Sequence, residues 1–275
     1  MAAVDEILLQ LTSQFAAHEE VGAVLLAGSR AIQFADKNSD IDLYIYGETM
    51  LPLEKRKSLL RNFSDHMEYN NQYWETGDEG YLRDTNTAVD IMYRNLNWIR
   101  GEMERVVFQH QASLGYTTCI WFNVLNSRIL FDRNGALAAL QKKVSIPYPQ
   151  ALKRNIIRKN YPLLRDSMCS YYHQIEKAIR RIDLISVNHR SAAFFQSYFD
   201  ILFAVNSMLH PGEKRLVKII ADECHLKPVN FELDVNNIIA RLNSTDSKIL
   251  PALDALIDHL DQLLEEQNLR PTEPK

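Results

Sequence analysis

Val24-Leu25-Leu26-Ala27-Gly28-Ser29, followed one loop later by Ser39-Asp40-Ile41-Asp42-Leu43-Tyr44-Ile45-Tyr46, decides how this chain is read. The first run is apolar and ends in Gly-Ser. The second alternates: Asp40, Asp42 and Tyr44 fall on one face of a strand, Ile41, Leu43 and Ile45 on the other. Carboxylates two residues apart on a strand stand about 7 Å from one another at Cα, from a rise of about 3.3 Å per residue. That spacing suits a hard cation such as Mg²⁺, which takes one or two carboxylates and fills its remaining positions with water and substrate phosphates. Without a cation the two charges repel. Gly28 lets the backbone come close to a phosphate, and Ser29 adds a hydroxyl and an N–H where residues 30 to 35 could open a short helix.

Gly28-Ser29 with Ser39-Asp40-Ile41-Asp42-Leu43 resembles the G-S…S-D-I-D-L signature of the nucleotidyltransferase superfamily related to DNA polymerase beta. In style it is nearest to the aminoglycoside and lincosamide nucleotidyltransferases. The likeness is close over residues 24–46 and a matter of layout elsewhere. It implies Mg²⁺-dependent transfer of a nucleoside monophosphate, usually AMP from ATP, onto an acceptor hydroxyl with loss of pyrophosphate. The implied acceptor is a small molecule, an antibiotic among the candidates. Asp40 and Asp42 would hold the metal, and Gly28, Ser29 and Ser39 the phosphate oxygens.

The superfamily also needs a third carboxylate on a neighbouring strand. Thr87-Ala88-Val89-Asp90-Ile91-Met92-Tyr93 offers one, with Val89, Ile91 and Tyr93 alternating against Ala88, Asp90 and Met92. A carboxylate sharing a face with Ala88 and Met92 is costly on an ordinary core face, so Asp90 is expected to ligate metal, act as general base, or both. Two other readings stand beside this one. The chain could modify tRNA or protein, as the toxin-like branch of the superfamily does, or bind nucleotide without catalysis, which a missing carboxylate would favour.

The net charge of −4 weighs against a nucleic-acid partner and favours a nucleotide and a small acceptor. An RNA acceptor would need Lys153-Arg154, Arg158-Lys159 and Arg180-Arg181 to form one basic stripe. Cys119, Cys169 and Cys224 are far apart and lack zinc spacing, as expected of thiols in a reducing compartment. No cationic leader precedes an apolar core and no apolar run reaches about 20 residues, so a cytoplasmic protein without a membrane span is expected. The resemblance also allows a homodimer.

Helices are expected over 3–19, 54–67 and 95–109. Residues 68–83, with Tyr69, Tyr73, Trp74, Glu75, Asp78 and Glu79, would either line an acceptor pocket or form a polar loop over a sheet edge. A short strand over 127–132 closes the first half, and Asp132, just before a turn, is expected to be structural. Pro147-Tyr148-Pro149 punctuates the chain, placing a boundary near residue 146. Helical periods follow over 151–186, 190–209, 213–224, 235–242 and 247–268. The expected fold is therefore α+β: a nucleotidyltransferase mixed sheet with flanking helices over 1–146, then an all-helical bundle over 147–275. In the bundle, Lys214 and Arg215 at a helix start oppose the preference for acids there, and Lys214 is a candidate phosphate contact.

Overall fold

A computed structural model describes residues 2–31 and 39–271, without the side chains of Ala2, Ala3 and Ser29. The fold is α+β. The chain divides into two compact units, one made of residues 1–104 and 120–146, the other of 105–119 and 147–275.

The first unit is built on a six-stranded sheet: β1 (Ala23–Ala27), β2 (Ile41–Gly47), β3 (His66–Asn71), β4 (Gly77–Tyr81), β5 (Ala88–Asn95) and β6 (Arg128–Asp132), in the order β3-β4-β5-β2-β1-β6. Only β2 and β5 run parallel; the other neighbours are antiparallel. The alternation of the sequence sets the two faces. Val24, Leu26, Ile41, Leu43, Ile45, Val89, Ile91 and Tyr93 point to one side, where Leu8, Leu11 and Phe15 of α1 (Ala2–Ala16) cover them. The opposite face carries Asp42 and Asp90.

The helix that the periodicity placed over 54–67 is shorter. α2 (Gly28–Ala31) is a single turn, and α3 (Leu53–Leu60) stops at Arg61. Arg83 accounts for the stop. Its guanidinium donates to the carbonyls of Arg61 and Asn62, at 2.9 and 3.3 Å, and pairs with Asp65 at 2.7 Å. The chain then turns into β3, and residues 68–83, expected as pocket lining or as a polar loop over a sheet edge, form most of the edge hairpin β3–β4. Asp78 belongs to the core side of that hairpin, where it is fully buried against Arg56 at 3.2 Å and accepts from the Tyr93 hydroxyl at 2.8 Å and the Asn70 N–H at 2.7 Å. Beyond β5 come α4 (Leu96–Met103), α5 (Cys119–Asn126) and α6 (Ala136–Val144). Asp132 takes the structural role expected of it: its carboxylate accepts from the N–H groups of Ala136, Leu137 and Ala138 at 2.9–3.0 Å, capping α6.

The second unit contains α7 (Gln150–Leu164), α8 (Tyr171–Arg180), α9 (Leu184–Val205), α10 (Leu216–Glu223), α11 (Phe231–Ile239) and α12 (Ile249–Glu266). The expected helix over 151–186 is thus α7, α8 and the start of α9. Ser170 restarts it as N-cap of α8, and the Asp183 side chain caps α9 through the Ser186 N–H at 3.0 Å. The buried Asp200 of α9 accepts from the Thr117 hydroxyl at 2.7 Å and its N–H at 3.1 Å, tying segment 105–119 to this unit. Among the described residues no helix is long and apolar enough to cross a membrane.

Candidate active site

The parallel pairing of β2 with β5 sets Asp42 directly beside Asp90. The antiparallel pairing of β4 with β5 sets Glu79 on the other side of Asp90, and Glu68 of β3 follows Glu79. Four acidic residues therefore stand in one row on the face opposite α1. Asp42 and Asp90 are half-buried; Glu79 and Glu68 are exposed. Burial, first, and then the carboxylates of Glu79, Asp42 and Glu75 push the Asp90 carboxyl up to about 6, against the opposing pull of Arg94.

β1 ends beside this row, with Ala27 opposite Asp42. Gly28 follows in the left-handed region, and its missing side chain leaves space that the Asp42 carboxylate fills. Asp40 lies one residue before β2 and is exposed. It is held through its backbone: Arg30 Nε donates to the carbonyls of Ser39 and Asp40 at 3.0 and 2.9 Å, so Arg30 clasps the start of β2. The Ser29 side chain and residues 32–35 of the expected short helix lie outside the described residues.

Two further rows lie along the same face. Tyr44, Met92, Gly77 and Asn71 form the next, and Tyr46 with Arg94 the one after it. Arg94 is buried, makes a two-pronged pair with Glu75 at 2.6 Å on each arm, and lies over the Tyr44 ring at 3.8 Å. Glu75 is thereby committed to Arg94, whereas Tyr73 and Trp74, in the turn of the hairpin, are exposed. Lys214 sits in the helical unit, exposed on a turn ahead of α10; that helix begins at Leu216, so the basic pair precedes it instead of occupying its first turn. In the basic segment of α7, Lys153 and Lys159 donate to the carbonyls of Val205 and Ala112.

Among the described residues no three His, Cys, Asp or Glu side chains converge into a closed metal site. The donor set nevertheless fits Mg²⁺. Two adjacent carboxylates face like charges, and the Asp42 carboxylate fills the space beside Gly28. Magnesium draws on one or two carboxylates and keeps its other positions for water and phosphate.

A family model described as a domain of unknown function (DUF4037) matches residues 118–216, less than half of the chain. No curated protein matches. Among solved structures, the chain is similar to a nucleotidyltransferase-like protein from Exiguobacterium sibiricum, at 13% identity over 96% of this chain and 76% of that one, with a TM-score of 0.45. It is also similar to the Thermotoga maritima CCA-adding enzyme complexed with tRNA, at 11% identity over 98% of this chain and 83% of that one, with a TM-score of 0.29. Likenesses at this level assign no activity.

Proposed function

We propose that this chain is a nucleotidyltransferase that moves AMP from ATP onto a hydroxyl of a small molecule, an aminoglycoside or lincosamide among the candidates. The observation that carries this reading is the side-by-side placement of Asp42 and Asp90 on parallel strands, with the backbone of Gly28 closing on Asp42. Asp42 and Asp90, with Asp40 at the strand entrance, would hold Mg²⁺, and Gly28, Ser29 and Ser39 would meet phosphate oxygens. Bound there, the ion would neutralise charge on the attacking and leaving oxygens. Asp90, its affinity for a proton raised by its neighbours, takes the proton of the acceptor hydroxyl, a contribution of about 10²–10⁴-fold where a general base operates. The acceptor oxygen attacks the α-phosphorus in line as pyrophosphate leaves.

The test is pyrophosphate release from each common NTP with Mg²⁺ against aminoglycosides, lincosamides and bulk tRNA, with Asp42→Asn as the blank. Release with ATP and one antibiotic class, lost in Asp42→Asn while its circular dichroism is kept, supports the reading. Release with tRNA alone moves the acceptor to RNA, and release by Asp42→Asn at the wild-type rate overturns the site.

A further inference from the structure

The turn between α8 and α9 is a Schellman motif. The Asp183 N–H donates to the Ala178 carbonyl at 3.0 Å and the Ile182 N–H to the Ile179 carbonyl at 2.9 Å, which seats Ile182 in the left-handed region with a φ of +54°. Glycine is the usual occupant, because a β-branched side chain is strained there. Burial does not offset the strain: Ile182 is 80% exposed, and Ile185, in the first turn of α9, is 79% exposed. Leu184, between them, is exposed as well.

Cations flank this apolar tip. Lys177, Arg180, Arg181 and Arg190 are exposed, and residues 176–190 hold four cations against two acids in a chain whose net charge is −4. Both acids are engaged locally. Glu176 pairs with Arg180 at 2.6 Å, and Asp183 caps α9, accepting from the Ser186 N–H at 3.0 Å and the Ser186 hydroxyl at 2.6 Å. Lys177, Arg181 and Arg190 therefore set the sign of the local field.

A surface that matches both features is anionic and admits aliphatic side chains. Single-stranded nucleic acid is anionic but is gripped by stacking on aromatic side chains, and residues 177–190 contain no Phe, Tyr or Trp. A stable protein partner needs about 800 Å² of matched surface on each side, more than a turn with two projecting isoleucines presents. A bilayer accepts a projecting tip: apolar side chains enter the acyl boundary while Lys and Arg stay with the headgroups.

We infer that the α8–α9 turn is a docking surface for an anionic membrane, with Ile182 and Ile185 inserted below the headgroups and Lys177, Arg181 and Arg190 against lipid phosphates. The attachment is peripheral, since among the described residues no helix is long and apolar enough to cross a bilayer. It owes nothing to the acid row of the sheet and holds whether or not the chain transfers nucleotides.

Co-sedimentation of the full chain with vesicles tests it, using phosphatidylcholine alone and phosphatidylcholine mixed with an equal part of phosphatidylglycerol. Binding is expected to the mixed vesicles only, and it should weaken as salt is raised. Ile185→Ser should lower the partition coefficient about tenfold and Arg181→Gln about fivefold. Ile182→Gly separates docking from folding. Glycine relaxes the turn, so the thermal midpoint should rise, while loss of the side chain should lower vesicle binding about tenfold. An Ile182→Gly variant that binds as wild type does, equal binding to both vesicle types, or binding to neither overturns the inference. Binding to bulk tRNA in place of the mixed vesicles overturns it too and makes this turn an RNA contact; self-association abolished by Ile182→Gly, with no vesicle binding, makes it an interface between copies.

Discussion

Gly28 and Asp42 compete for one space: a Cβ added to Gly28 would stand 1.8 Å from Asp42 Oδ2, and Gly28 has a φ of +62°. Backbone conformation and carboxylate placement are thus fixed together, and the Gly-Ser pair of the sequence marks where the chain draws in against the acid row.

Gly28→Ala is therefore expected to damage both stability and site. Alanine at positive φ is strained, and here it also has to displace a carboxylate, a combined cost of more than about 1 kcal/mol. Urea unfolding should show a lowered midpoint, and Mn²⁺ titration followed by electron paramagnetic resonance should show weakened binding. A variant with the wild-type midpoint and Mn²⁺ affinity would mean that Asp42 is not held by Gly28.

Asp90 makes stability depend on pH in a direction that can be worked out. Its folded carboxyl titrates at about 6, above the ordinary 3.8, so the folded state holds the proton more tightly than the unfolded chain. The stability this confers is complete below about pH 4 and is lost as pH rises through 6. Asp90→Asn removes the loss. Without metal, the variant should be the more stable protein at pH 7.5, by about 1 kcal/mol once the shift is discounted for the partial exposure of the group. Its advantage should vanish near pH 4 and shrink when Mg²⁺ is added. Thermal melts at the two pH values decide it; a variant less stable than wild type at pH 7.5 overturns the account.

The sheet and the two aspartates were legible because a period of two fixes which residues share a face, and Asp42 and Asp90 each interrupt an otherwise apolar alternation. The hairpin β3–β4 was not. Its apolar positions are few, its strand ends are glycine and asparagine, and its inward-facing Asp78 reads as a loop residue until Arg56, distant in sequence, is known to neutralise it. The same failure left Glu79 as one of several candidates for pocket lining, since only strand register places it beside Asp90. The break between α7 and α8 was passed over because apolar periodicity continues across it, while the Ser170 cap is a one-residue signal.

The Arg56–Asp78 pair yields the largest expected loss of stability. Arg56 is 2% exposed, lies over the Tyr93 ring at 4.5 Å, and joins Asp78 to Asn70. Arg56→Met keeps much of the packing but leaves the Asp78 charge buried with only its hydroxyl and backbone donors, a change that costs about 3–5 kcal/mol. Amide exchange in β3 and β4 should accelerate more than in β1 and β2. Replacing both partners, Arg56→Met with Asp78→Leu, should recover part of the loss, because the penalty comes from the stranded charge; a double variant no better than the single would place the cost in packing.

Asp132→Ala separates a cap from a metal ligand. Three N–H groups at the start of α6 lose their acceptor, so a destabilisation of about 1–2 kcal/mol is expected. Asp132 pairs in register with Ala23, at the far end of β1 from Ala27 and Asp42, so Mn²⁺ affinity should be untouched. Asp132→Asn should lie between wild type and alanine in stability, since its amide oxygen still accepts but without the charge that favours a helix N-terminus. A fall in Mn²⁺ affinity in Asp132→Ala at a temperature well below its melt would place Asp132 among the residues that act on the metal and would extend the site across β1 to the edge strand.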